Sequence, residues 1–247
     1  MSEGKDGFSS GDYHSRFSKF TENRFWRKYL DHSYGRGLQL VREAGWDNPV
    51  TADDANVLLC GTGTPETSST FVRFVKDQNP QARIHILDKE RSPLERSRER
   101  LWQELGEASR NIDIRQEDAL HTSFPDSSFT GIETDLFLEF FPQKAKQELL
   151  QEWFRILRPG GIITTRDFVQ TTGGSVERNL ASLQRKAVTK AVHAPTYGTT
   201  RDELSGLFKG AGFEIKITPA RLPIVGLRVP LANHIIARRP KSEPVAS

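Results

Sequence analysis

The chain of 247 residues contains a single cysteine, Cys60. One thiol excludes an internal disulfide, cannot build a zinc site, and fits a reducing compartment. No neighbour in sequence would activate it as a thiolate, so Cys60 reads as a small residue in a crowded loop. The six histidines (14, 32, 85, 121, 193 and 234) include no pair at metal-ligand spacing, so no metal centre is expected. Nor is there an apolar run approaching the ~20 residues that a membrane span requires. Met1 to Gly11 is polar and rich in glycine and serine, with none of the apolar core of a signal peptide. A cytoplasmic location is the expectation. Charge of one sign is lacking too, with 35 basic against 32 acidic residues and a net charge of +3. The basic group Arg91–Arg100 is interleaved with Glu95 and Glu99. That pattern argues for a solvated helix face rather than a nucleic-acid track.

What is present is a repeated alternation of short apolar runs with helical patterns. Asn56-Val57-Leu58-Leu59-Cys60 reads as a buried strand, Gly61-Thr62-Gly63 as a tight turn, and Pro65 as the start of a helix to about Gln78. A glycine turn at a helix N-terminus lets backbone N–H groups approach a ligand closely. The second strand, 82–88, ends in Asp88, 25 residues after Gly63. A glycine turn followed by an acid at the end of the next strand is the arrangement that grips a nucleoside ribose.

Beyond it, Ser92-Pro93-Leu94-Glu95 reads as a capping box opening a helix to about Leu105. Strands follow at 112–115 and 129–134, then a helix over 143–157 and a strand over 162–168. A polar helix near 175–192 and a second capping box at Thr200-Arg201-Asp202-Glu203 come next, before final strands near 213–218 and 232–238. Upstream, Gly35-Arg36-Gly37 divides an aromatic-rich region into two helices. The expected division is a disordered tail over 1–12, a helical lid or cap over 13–46, one α/β domain over 47–240 and a tail over 241–247. Alternating elements of these lengths imply a mostly parallel sheet covered by helices on both faces.

Five segments in register resemble the class I S-adenosylmethionine-dependent methyltransferases. They are similar to the small-molecule branch that includes the quinone-biosynthesis C-methyltransferases. The segments are Cys60-Gly61-Thr62-Gly63, Asp88, Glu117-Asp118-Ala119 with Phe124-Pro125-Asp126-Ser127-Ser128-Phe129, Arg155-Ile156-Leu157-Arg158-Pro159-Gly160-Gly161, and Ala211-Gly212-Phe213. The resemblance implies a Rossmann-like seven-stranded sheet with its last strand antiparallel. It implies S-adenosyl-L-methionine as cofactor, held by Cys60, Gly61, Thr62 and Gly63, by Asp88 with Lys89, by Asp118 and Ala119, and by Thr134.

The sequence departs from that pattern in three places. Leu59 stands for the first of the usual three glycines, Val57 for the usual acid before it, and the third departure is in the fourth strand, where Gly131 and Glu133 stand for apolar residues. A buried Glu133 needs a partner or will titrate. The fourth strand is followed by Thr134-Asp135-Leu136-Phe137 and not by an Asn-Pro-Pro-Tyr-like segment, which argues against DNA adenine methylation. The resemblance to the small-molecule branch implies a small organic acceptor, methylated at O, C or N and touching the segment 173–199, where those relatives insert acceptor-binding elements. Methyl transfer needs the acceptor held in line with the donor and shielded from water, and a base only where the acceptor must lose a proton. Glu139, five residues beyond Thr134, is the candidate base. The competing functions are methylation of RNA or protein, cofactor binding without turnover, and another use of the same cofactor.

Overall fold

The computed structural model describes residues 24–170, 196–221 and 228–241. Its strands are β1 (Asn56–Cys60), β2 (Arg83–Asp88), β3 (Ile112–Gln116), β4 (Phe129–Asp135), β5 (Leu157–Gln170), β6 (Thr199–Thr200), β7 (Glu214–Arg221) and β8 (Arg228–Arg238). The helices are α1 (Arg24–Glu43), α2 (Pro65–Gln78), α3 (Arg91–Leu105), α4 (Gln143–Ile156) and α5 (Arg201–Gly210). The strands order as β3-β2-β1-β4-β5-β8-β7 in one sheet, with the two-residue β6 added to the end of β5. Neighbours from β3 to β5 run parallel, and β8 is antiparallel to both β5 and β7. The expected mostly parallel sheet with an antiparallel last strand is what forms.

All of β1 is buried, because it lies between β2 and β4 and has helices on both faces. Alternation divides its side chains between two cores. Leu58 and Cys60 join Ile132, Leu149, Trp153, Ile163 and Phe208 on the α4 and α5 side. Val57 and Leu59 join Leu30, Tyr34, Phe71, Ile84, Leu94 and Leu101 on the side of α1, α2 and α3. Each such aliphatic side chain contributes roughly 1.5–3 kcal/mol on burial. Gly131 in β4 has a packing reason: a Cβ there would lie 2.9 Å from Cβ of Pro49.

Three local expectations need correction. Helix α1 runs unbroken through Gly35 and Gly37, since packing overrides the weak helix propensity of glycine. Gly37 is buried against Thr164, with a built Cβ at 3.5 Å from the threonine Cβ, so a small residue there lets α1 lie close on β5. Ser92 does not cap α3. That helix begins at Arg91 without a side-chain cap, and Glu95 pairs with Arg91 at 2.6 Å. Strand β5 is longer than expected, since the backbone enters it at Leu157, directly from α4. The capping box of α5 does form, with Thr200 Oγ1 accepting from Glu203 N–H while the Glu203 carboxylate accepts from Thr200 N–H at 2.9 Å. The polar helix near 175–192 and the tail 1–12 lie outside the described residues. Among the described residues no helix is long and apolar enough to cross a membrane.

Candidate cofactor and active site

The carboxyl ends of β1, β2 and β3 bring the sequence-predicted cofactor residues to one edge of the sheet. Gly61 leaves β1 with φ +82° and Gly63 has φ +57°, both in the region that glycine enters without strain. Gly61 N–H donates to Leu87 O at 2.8 Å. Asp88 then ties the loop down: its Oδ2 accepts from Thr62 N–H at 2.9 Å and Thr62 Oγ1 at 3.1 Å, and its Oδ1 accepts from Glu90 N–H at 2.9 Å. Glu117 N–H donates to Asp88 O at 3.1 Å, which draws the third loop alongside. In that loop Ala119 is buried, and Asp118 Oδ1 accepts from Leu120 N–H at 3.1 Å. Burial opposes the charge on Asp118, but the Leu120 N–H and Lys89 more than offset it and hold the carboxyl below its usual range. Lys89 Nζ lies 3.2 Å from Asp118 Oδ2, so these two predicted contacts meet each other across the mouth. An exposed pair of this kind contributes at most about 1 kcal/mol, and a ligand can replace it.

Thr134 and Cys60 lie deeper. Strand β4 continues past Thr134 to Asp135, so Thr134 is not the end of the strand. Its hydroxyl is fully buried and has no hydrogen-bond partner among the described residues. Cys60 is fully buried beside Trp153 and Leu58, and burial pushes its thiol well up. His85 is likewise structural, with Nδ1 at 2.9 Å from Asp113 Oδ2 and edge-on rings of Phe124 and Phe129 beside it.

On the α1 face of the sheet Glu133 has a partner that its own segment did not reveal. Arg166, on β5, reaches Glu133 Oε1 through Nη1 at 2.6 Å and Asp135 Oδ1 through Nε at 2.9 Å, and it lies over the Tyr34 ring at 5.0 Å. Thr164 also donates to Glu133. Arg166 is 1% exposed. One cation serves two buried carboxyls here. Desolvation, only partly offset by Arg166, pushes Glu133 up to about 7 and also raises Asp135.

On the opposite face, beyond β4, the chain turns through Leu136 at φ +50° into a short 3-10 turn, Leu138–Phe140. The Phe137 ring covers the glycine loop, since a Cβ on Gly61 would come 2.6 Å from its Cδ2. Two residues on, Glu139 is 5% exposed and is not the surface residue its helical position could have made it. Asp167 lies nearby, its Oδ2 accepting from Leu138 N–H at 2.7 Å and its Oδ1 from Phe168 N–H at 2.9 Å. Burial, with Asp167 as the next largest cause, raises the proton affinity of Glu139, and burial raises that of Asp167.

Residues 57–161, somewhat less than half of the chain, match the family model described as a methyltransferase domain. The fold is Rossmann-like and is shared with solved methyltransferases. A solved S-adenosylmethionine-dependent methyltransferase from Methanosarcina mazei is similar at a TM-score of 0.57 and 19% identity, over 77% of this chain and 95% of that one. A chain in the Haloferax volcanii complex of the Trm112 methyltransferase activator with a candidate methyltransferase is similar at a TM-score of 0.65 and 15% identity, over 93% and 98%. In sequence, an uncharacterized protein of Haemophilus influenzae is 28% identical over 102 residues. That match spans 38% of the relative's length and 41% of this chain.

The residues at the carboxyl ends of β1, β2 and β3 offer polar atoms that suit the expected cofactor. Asp88 Oδ1 carries one internal bond and keeps acceptor capacity for a hydroxyl. The buried Thr134 hydroxyl, without a described partner, is a polar atom available at the centre of the sheet. The residues missed in sequence are Phe137, Lys146, Arg166 and Asp167. Arg166-Asp167, a charged pair inside the apolar strand 162–168, was the signal available for two of them.

Proposed function

We propose that this protein transfers a methyl group from S-adenosyl-L-methionine to a small organic acceptor. The observation that carries the reading is the row formed by the glycine loop, Asp88 and Asp118 at the carboxyl ends of β1–β3, in a fold and a stretch of sequence that match methyltransferases. Open α/β sheets bind their ligands at that edge. In this reading Asp88 accepts from the ribose hydroxyls, Asp118 and Ala119 border the adenine, and Gly61–Gly63 present backbone N–H groups. Bound there, the cofactor supplies an electrophilic methyl group. The chain's own residues hold the acceptor, exclude water and move its proton. Phe137 closes the glycine loop against solvent, and Glu139 takes a proton from the acceptor. A cytoplasmic location belongs to the same reading.

Calorimetric titration with S-adenosylhomocysteine tests the cofactor assignment. Asp118→Ala removes an acceptor without touching the bonds that hold the glycine loop. The expected loss is about 1.5–3 kcal/mol, or tenfold and more in Kd. Folded wild-type protein that binds neither S-adenosylmethionine nor its product would refute the reading.

Methylation of RNA or protein is a second reading, favoured by the likeness to a chain complexed with a methyltransferase activator. Binding to a generic RNA that weakens steeply with salt would support it.

A further inference from the structure

Two buried carboxyl groups, Glu139 in the turn beyond β4 and Asp167 within β5, exceed the described cations that face them. Glu139 is 5% exposed and Asp167 2% exposed. Asp167 is fixed by its two backbone donors. The carboxyl group of Glu139 makes no hydrogen bond to a described residue, and Asp167 and Asp135 both act on it electrostatically. Lys146, on α4, is the one described cation whose charge bears on both Glu139 and Asp167. It makes no direct ion pair with either. Its Nζ donates instead to Tyr197 O at 2.9 Å and to Thr199 Oγ1. So this lysine donates to neutral oxygens, and among the described residues Glu139 has no direct cationic partner in its buried setting. Such a group must bind a proton or a cation, since an isolated buried charge is prohibitively costly.

The surroundings are those of a subsite beside the cofactor. Phe137, two residues before Glu139, lies on Gly61 and stacks edge-on with Phe141, ring centroids 5.0 Å apart. Tyr197 is anchored from both sides, its N–H donating to Glu139 O at 2.7 Å and its carbonyl accepting from Lys146. Its side chain is 41% exposed. A buried carboxyl group with no described hydrogen-bond donor recognises an ammonium group through a charge-assisted hydrogen bond, and aromatic residues on the adjoining turns suit the apolar part of such a ligand.

We propose that Glu139 and Asp167 form the subsite for a protonated amine, with Tyr197 at its rim. The amine's role as methyl acceptor rests on the function proposed above, whereas its binding rests on these side chains alone. On entry the ammonium group supplies the missing positive charge. Glu139, freed of its own proton by the cation, is then placed to accept one from the amine and leave nitrogen with its lone pair.

The test uses three probes of one shape, titrated calorimetrically into the full chain: phenethylamine, the neutral 2-phenylethanol and the anionic 3-phenylpropanoate. The amine should bind at least tenfold more tightly than the alcohol, and the propanoate should not bind. Glu139→Gln should abolish the preference for the amine. Tyr197→Ala, which keeps both backbone anchors, should weaken the amine severalfold. The alcohol binding as tightly as the amine, absence of amine binding, or a folded Glu139→Gln that keeps the preference would each overturn the proposal. Should Glu139→Gln fail to fold, the wild-type comparison and Tyr197→Ala decide. S-Adenosylhomocysteine is titrated separately. Amine binding without it would retain the subsite and reject the methyltransferase reading, and the reverse result would do the opposite.

Discussion

Replacing Arg166 with methionine would leave Glu133 and Asp135 on one face of β4 with no described cation to answer them. Removing one member of a buried charged cluster costs about 3–5 kcal/mol, because the remaining charge stays desolvated. Urea unfolding of Arg166→Met should show a loss of that size. Combining it with Glu133→Gln and Asp135→Asn should recover much of the loss, since the penalty is the unpaired charge and not a missing attraction. Unchanged stability in the single variant would mean that the two carboxyls are already neutral in the folded chain. A second residue-scale test concerns Gly61. Alanine there would place a Cβ 2.6 Å from the Phe137 ring on a backbone at φ +82°. Gly61→Ala is expected to lose S-adenosylhomocysteine binding at least tenfold. Adding Phe137→Ala relieves the clash but not the left-handed backbone, so it should restore binding only in part. Full recovery would show that the ring contact alone makes glycine necessary.

Elements differ in how openly the sequence announces them. The βα alternation from Asn56 to Ile156 follows from apolar runs bounded by glycine, proline and asparagine, and α2 begins and ends where Pro65 and Asn79 say it should. Helix α1 reads as two in sequence because glycine is a poor helix former, but propensity is a weak prior against a buried face carrying Leu30, Tyr34, Leu38 and Val41. That contrast yields a prediction. Gly35 lies inside the helix with nothing within 4 Å of a built Cβ, so Gly35→Ala should stabilise the protein by roughly 0.5–1 kcal/mol. Gly37, already in contact with Thr164, should gain less. Denaturant midpoints of the two variants make the comparison, and a destabilised Gly35→Ala would mean that α1 bends at that point. The site divides along the same line. Asp88, Asp118 and the glycines stand at element ends, which a linear pattern marks. The Glu133–Arg166 partnership depends on the register that sets Glu133 beside Thr164 and Asp135 beside Arg166, and no local pattern encodes a cross-strand register. Glu139, Asp167 and Lys146 meet only because the 3-10 turn after β4, the body of β5 and the first turn of α4 converge.

Across the whole molecule the buried carboxyls set the dependence of stability on pH. A carboxyl whose proton affinity rises on folding binds more protons in the native state than in the unfolded chain. Stability therefore falls as pH climbs from the unfolded pKa towards the native one. Glu133, pushed by burial from the usual 4.5 up to about 7, works in that direction, and so do Glu139, Asp135 and Asp167. His234 works in the other. Burial, seconded by the charge of Arg166, lowers it from 6.5 to about 3, so the native state binds fewer protons and stability grows between those values. The two tendencies oppose each other up to about pH 6.5. Above it the histidine contribution is complete and the carboxyls act without that opposition. Lys146, whose proton affinity burial lowers, offsets them only as lysine begins to titrate. Four such carboxyls outnumber the one histidine, so the melting temperature should already fall between about pH 5 and 6.5, fall more steeply just above about pH 6.5, and keep falling more gently towards about pH 8.5 through Glu139, which burial raises to about 9. Glu139→Gln removes one of the ionising groups and should make the decline shallower while leaving the acid side unchanged. A ligand that brings a positive charge to Glu139 and Asp167 should do the same in the wild-type chain. Melting curves with saturating phenethylamine at pH 6 and pH 8.5 measure this, and the stabilisation should be larger at the higher pH. Equal stabilisation at both would place the amine away from these carboxyls.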